Sequence, residues 1–331
     1  MKVTFLIGNG FDLACGMRTS YPDVYRGYIK TPSASPIIAK FKEDLEEEQT
    51  NEKWGNWSDF EMGMAKYAET FNNEQDFIDC VVDFRQFLKQ HLLIQQERFN
   101  ELWEHIHHVR YETLDNYINN CIFSYYRGIS KGRIHELTKA PSFISFNYTD
   151  ILDNVLKTSY PDEVTIHHVH GTLSDGDMIL GIDNEKQINT LFQLSSKGKR
   201  TFIKPILNEE YAWETVQEIR ELISDSDYIC AFGLSFGDSD LMWKNAVIEW
   251  LRKDETHELF LYDYECSQMP IDDIVIRLNK EEDMKAIKLV EKGFCGVNDP
   301  IFKQIRLPIG VKLFAIEPLV KSIIEKAKKS A

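Results

Sequence analysis

No two cysteines in this chain are spaced as CxxC. The six that occur, Cys15, Cys80, Cys121, Cys230, Cys266 and Cys295, are widely scattered. That scatter excludes a structural zinc site and a disulfide framework. Long apolar runs are missing as well: none approaches the ~20 residues of a membrane span. The stretch Val3 to Ile7 is too short for a signal-peptide core and runs straight into a glycine turn. These absences describe a cytoplasmic chain with reduced thiols and no membrane partner. Positive charge is scarce, with 38 Lys+Arg against 53 Asp+Glu and a net charge of −15. Such a surface repels phosphate backbones and anionic lipids, which excludes bulk nucleic-acid binding as a main function. No internal repeat or low-complexity tract interrupts a composition that is otherwise ordinary for a globular protein. The length allows one large α/β domain or two smaller ones.

What is present begins with a strand. Val3–Ile7 is continuously apolar, as suits a strand covered on both faces of a parallel sheet. From about Pro32 to Lys139 the pattern turns helical. Phe77, Val81, Phe84, Leu88 and Leu92 step by four, three, four and four onto one helix face. Short β-type runs then return at Phe143–Phe146, Val164–Val169, Met178–Ile182, Tyr228–Phe232, Leu259–Tyr262 and Val311–Ile316, with helical stretches at Glu210–Ile223 and Asp240–Arg252. Strand–helix alternation predicts a doubly wound, mostly parallel Rossmann-like sheet, built from residues 1–31 and 140–331. Residues 32–139 form a helical insertion, with Trp54, Trp57, Phe60, Tyr67 and Phe71 as its own core. Ser195–Lys199 reads as a mobile surface loop, and the C-terminal KSIIEKAKKSA as a helix.

Four motifs close predicted strands. Gly8-Asn9-Gly10-Phe11-Asp12 offers a tight turn whose N–H groups can approach a phosphate, with a helix start behind it. Leu13 stands where the third glycine of a GxGxxG fingerprint belongs, so a plain strand-to-helix turn capped by Asp12 explains it equally well. In Ser145-Phe146-Asn147-Tyr148-Thr149-Asp150, an amide can fix a water or a sugar hydroxyl, and Asp150 can hold ribose hydroxyls or cap a helix. His167-His168-Val169-His170-Gly171 puts only His168 and His170 on one strand face, which leaves a metal set short of ligands. No metal is expected. His170, at the strand end, suits a general base in the cleft, and His167 or His168 a packed, hydrogen-bonded role. Gly233-Leu234-Ser235-Phe236-Gly237-Asp238-Ser239-Asp240 offers small residues and hydroxyls to a ribose or phosphate, and Asp240 or Asp238 to the next helix. Its outline also resembles the GxSxG esterase elbow, with Ser235 as nucleophile. Against that, His170 precedes the serine, the reverse of the hydrolase order, and the later His257 begins a strand.

In this order the motifs resemble the AbiH family of bacterial abortive-infection proteins, within the sirtuin-like Rossmann group. The opening LIGNGFDLACGMRTSYPD carries the most specific likeness, and Trp57-Ser58-Asp59-Phe60-Glu61 is similar to a W-x-D-[LF]-E segment. SFNYTDILD, HVHGTL, LGID and FGLSFGDSDL follow in the family's order. The resemblance implies NAD, as substrate or ligand, in the cleft above the sheet. It implies pyrophosphate at Gly8, Asn9, Gly10, Phe11 and Asp12, Asn147 near the nicotinamide ribose, and His170 as base. It further implies Gly233 and Ser235 on the adenosine side, with Asp150 and Asp240 completing the ligand set. The zinc-binding cysteine pairs of the deacetylases are missing. Their Gly-Ile-Pro-Asp-Phe-Arg segment is represented at most by Tyr21-Pro22-Asp23 with Arg26. The implied function is therefore an anti-phage effector that hydrolyses the nicotinamide N-glycosidic bond. The alternatives are a non-catalytic NAD or ADP-ribose sensor signalling to a partner, and a different hydrolase of a phosphate-containing substrate. A phage-derived trigger, an operon partner and a homo-oligomer are the expected associations.

Overall fold

The computed structural model describes residues 2–51, 59–107, 142–159, 165–174, 178–268 and 274–308. Six parallel strands make one sheet: β1 (Val3–Ile7), β2 (Ser142–Ser145), β3 (Ile166–His168), β4 (Tyr228–Phe232), β5 (Glu258–Tyr262) and β6 (Ile305–Arg306). Their order is β3-β2-β1-β4-β5-β6, so the chain winds outwards in both directions from the junction of β1 and β4. This is a Rossmann-like α/β fold, and its switch point is where such sheets open a ligand crevice.

Strand geometry explains how the sheet buries itself. Alternate side chains point to opposite faces. Val3, Phe5 and Ile7 join Phe143, Cys230 and Phe260 on one face. They pack against α6 (Ile151–Ser159) through Ile151, Leu152, Val155 and Leu156. Leu6 joins Ile144, Ile229, Ala231, Leu259 and Leu261 on the other face, beneath α9 (Trp213–Ser224) and α10 (Leu241–Lys253). Because both faces are covered, the strands carry apolar runs and not the alternation of a half-wetted sheet.

Between β1 and β2 lie α1 (Gly10–Ala14), α2 (Tyr21–Tyr28), α3 (Pro36–Asn51), α4 (Phe60–Tyr67) and α5 (Glu74–His107). The residues predicted to share one face of α5, Phe77, Val81, Phe84, Leu88 and Leu92, are all buried. They meet an aromatic cluster in which Phe60 stacks on Phe84 with ring centroids 3.7 Å apart. Aromatic pairs of this kind add about 0.5–1.5 kcal/mol beyond the area they bury. The same core takes in Leu173, Leu180, Ile182, Phe202 and Ile203 from beyond β3, with Phe202 edge-on to Phe77. Phe60, Tyr67 and Phe71 belong to it, whereas Trp54 and Trp57 lie outside the described residues.

Two expectations need correction. Ser195–Lys199 is not a loop: Ser195 caps α7 (Ser196–Phe202) by accepting from the N–H groups of Lys197 and Gly198. Helix α8 (Lys204–Tyr211) follows directly. Met178–Ile182 is not a sheet strand, since it forms only the isolated bridge Ile182–Ile203. A short buried apolar run looks alike in both settings, and here it serves the helical core. The run Val311–Ile316 and the C-terminal helix lie outside the described residues.

Candidate active site

A cleft of about 500 Å³ opens over the carboxyl ends of β1 to β5, within the roughly 300–1,000 Å³ usual for small-molecule sites. Its floor is the seam between the loops after β1 and β4. Gly8 N–H donates to the Phe232 carbonyl and Gly10 N–H to the Gly233 carbonyl, at 2.9 and 3.0 Å. The two backbones touch. A Cβ on Gly233 would lie 2.5 Å from the Gly10 Cα, and Gly233 has a φ of +64° that side chains disfavour. Glycine is thus required here for backbone-to-backbone packing. The Gly8 and Gly10 N–H groups are already engaged, as is that of Phe11, which donates to the Gly8 carbonyl. Asn9 is committed too, since its amide donates to the Thr19 carbonyl and accepts from the Thr19 hydroxyl.

Above the β1–β2 side, Asp12 is buried and holds the next layer in place. One carboxylate oxygen accepts from Asn147 Nδ2 at 2.9 Å, the other from Thr149 Oγ1 at 2.6 Å. Burial pushes the Asp12 carboxyl up to about 7, against the opposing pull of Thr149, Asn147 and His168. Asn147 Nδ2 also reaches the Gly8 carbonyl at 3.2 Å, which fixes the amide's orientation. Its Oδ1 is left buried and without a hydrogen-bond partner. An unpaired acceptor of this kind in a cleft wall is a group waiting for a donor.

His170 reaches the cleft just past β3. Its ring is buried, and neither ring nitrogen has a directed hydrogen bond. Nε2 nevertheless stands 3.0 Å from Asp240 Oδ1, an electrostatic contact outside good hydrogen-bond direction. Burial, and then the nearby Lys204 ammonium, lower the His170 pKa, so the imidazole is neutral at neutral pH. Burial opposes ionisation of Asp240, but Lys204 and His170 together hold its carboxyl well below the usual range. The other two histidines behave as packed residues. His168 pairs with Asp153 at 2.9 Å and contacts the Asn147 carbonyl at 3.2 Å, while His167 stands 3.3 Å from Glu218.

Of the residues singled out in the sequence, Gly8, Asn9, Gly10, Asp12, Asn147, His170, Gly233, Ser235 and Asp240 share this cleft. Phe11 and Asp150 are not among its lining residues. The Phe11 ring is wholly buried in the core under the sheet. Asp150 faces Gln96 of α5 and the Ser174 hydroxyl. With Asp153 and His168 it brings ligand-type atoms within 4.8 Å of one another. The bonds just described engage all three, and His168 is the member that reaches the Asn147 carbonyl. At the GLSFG turn the non-glycine residue with positive φ is Phe236, at 54°, not Ser235. An esterase elbow strains the serine itself.

The sequence also concealed part of the site. Asp59 and Glu61 reach the cleft from α4, joined there by Leu88, Leu92, Tyr21 and Thr149. Glu61 accepts from the Tyr21 hydroxyl at 2.7 Å, and burial raises its carboxyl to about 8. Asp59 and Glu61 lie within the tryptophan-containing segment noted above, so a signal existed. Lys204 had none. Its ammonium is buried and donates to Asp240 Oδ1 and the Ser239 carbonyl, both at 2.8 Å. At the β5 end, Lys292 lines the cleft beside Asp263 and Tyr264.

A family model described as bacteriophage abortive infection AbiH matches residues 4–262, well over half of the chain. The match runs from β1 to the end of β5 and takes in the cleft residues except Asp263, Tyr264 and Lys292. No curated protein matches the chain.

Proposed function

The chain belongs to the AbiH family of bacteriophage abortive-infection proteins, and from that premise we propose that its cleft binds NAD and hydrolyses the nicotinamide N-glycosidic bond. One observation carries the proposal. Asn147 Oδ1 and the ring nitrogens of His170 are buried polar atoms without hydrogen-bond partners, on the ends of adjacent strands in one crevice.

Cleavage of this bond builds positive charge at the ribose C1′ while a neutral nicotinamide departs. The cleft suits that change, because Asp240 is ionised and Asp12 is near its midpoint at neutral pH. Asn147, with its amide N–H groups tied to Asp12 and Gly8, presents Oδ1 to a ribose hydroxyl or the attacking water. Neutral His170 accepts a proton from that water or hydroxyl as the bond to C1′ forms. Because Gly8, Gly10 and Phe11 N–H groups are spent within the fold, pyrophosphate recognition falls on other groups. Lys292 is the cation that lines the cleft's β5 end.

Incubating the purified protein with NAD, with and without a phage-derived trigger, and measuring free nicotinamide tests this. His170→Ala should lower release by about 10²–10⁴-fold, the usual contribution of a general base. Full turnover by that variant would overturn the assignment. A sensing role gains support from one feature: the α4 and α5 residues Asp59, Glu61, Leu88 and Leu92 share the cleft, so ligand occupancy is felt by the helical region. Stoichiometric NAD binding without nicotinamide release, under every trigger tried, would favour it.

A further inference from the structure

The buried ammonium of Lys204 lies behind the cleft-lining residues Ser239 and Asp240, and it has more to do than balance one carboxylate. It lies at the start of α8, whose first N–H is tied to the Ile182 carbonyl at 2.9 Å. Its Nζ is held by Asp240 Oδ1 and the Ser239 carbonyl, and Glu61 Oε1 lies 3.9 Å away. The oxygen of Asp240 that it grips is the one 3.0 Å from His170 Nε2. Three elements far apart in sequence, α8, the loop after β4 and the end of β3, therefore converge on a single oxygen atom.

We propose that Lys204 is a positioning residue: fixed by Asp240 and Ser239, its ammonium acts through the shared Asp240 carboxylate to keep His170 in the neutral form. This inference rests on the reading of His170 as the base, and it supplies the reason that base is usable. An ionised carboxylate alone at 3.0 Å would pull a proton onto the imidazole and disable it. Lys204 shares that carboxylate, so His170 keeps Asp240 as an electrostatic neighbour without becoming a cation. The remaining groups around the pair agree with this balance. Glu61 from α4 and Asp183 from the segment after β3 face Lys204, and burial raises both, Asp183 to about 6. Tyr148 from the loop after β2 stacks obliquely near His170 with centroids 6.0 Å apart, and Phe146 lies edge-on to it. His168 turns away to Asp153.

The test is the titration of the His170 ring followed by NMR in histidine-labelled protein without ligand, its signal assigned by loss in His170→Gln. Wild type should titrate below the ordinary value of about 6.5. Lys204→Gln, whose amide still donates to Asp240 and Ser239, should raise proton affinity about tenfold or more, and Lys204→Arg should leave it near wild type. An unmoved or lowered midpoint in Lys204→Gln overturns the proposal. Should that variant fail to fold, Lys204→Met takes its place with the same expected rise, and a wild-type midpoint at or above about 6.5 overturns the proposal by itself. The measurement needs no turnover, so it stays separate from NAD hydrolysis. The predicted shift without nicotinamide release by wild type would remove the hydrolase and keep the positioning role.

Discussion

Among the carboxyl groups that line this cleft, Asp12 and Asp240 are opposites. Asp12 has only hydrogen-bond donors for company, Asn147 and Thr149, and burial pushes it up to about 7. Asp240 is only partly buried, one of its oxygens is held by Lys204 with His170 nearby, and it stays charged. The difference shows that burial does not dictate the charge of a carboxyl group. A cation in direct contact can outweigh it, and for Asp240 that cation comes from a helix more than thirty residues away in sequence.

The sharpest way to break the contrast is to remove one carboxylate at a time. Asp240→Asn leaves Lys204 buried with a weakened partner and should cost about 3–5 kcal/mol in chemical denaturation. Asp12→Asn keeps an acceptor for one of its donors and removes no salt bridge, so it should cost less than half as much at pH 8. Equal losses would mean that the two acids sit in equivalent environments.

The next largest effect is a pH dependence with a definite sign. Glu61 is held near 8 in the folded chain against 4.5 ordinarily, so the folded state binds its proton more tightly. Its contribution is present below about pH 4.5 and is lost as pH rises through 8. Removing the titration with Glu61→Gln should thus flatten the fall in stability. The variant should gain about 2–4 kcal/mol relative to wild type between pH 5 and pH 9, visible as a rising difference in Tm. A difference that shrinks with pH would reverse the assignment.

Thr149→Val strips Asp12 of its shorter hydrogen bond. It should cost about 1 kcal/mol and push the Asp12 carboxyl higher still, measurable by carboxyl NMR. Smallest of all is Asp150→Asn. Asp150 is not a cleft-lining residue, and nicotinamide release should change less than about twofold. A loss comparable to that of Asn147→Ala would place Asp150 in the site after all.

Much of this architecture can be read in the residues themselves. The apolar run at β1, its glycine turn and the strands ending at Ser145, His168 and Phe232 announce a parallel sheet, because buried strands leave no polar alternation to confuse the pattern. Asn147 and His170 were recognisable since they end strands in small, polar loops. Lys204 was not, for a lysine within Phe-Ile-Lys-Pro carries no local mark of its distant partners. Ser195–Lys199 misled because serine, lysine and glycine suit a loop and a capped short helix alike. The glycines of the turn have a packing role. They permit two backbones to meet, a long-range fact invisible in a local motif.

That meeting has a consequence for how such a pocket can be retuned. At Gly10 and Gly233 the floor consists of main chain pressed on main chain, and neither position tolerates a new side chain. Sequence change therefore has little purchase on the cleft floor. It can act on the walls supplied by α4, its cap and α5, where Asp59, Glu61, Leu88 and Leu92 line the cleft. A fixed base with an adjustable roof would let a defence protein alter what opens or fills its crevice while the sheet below stays as it is.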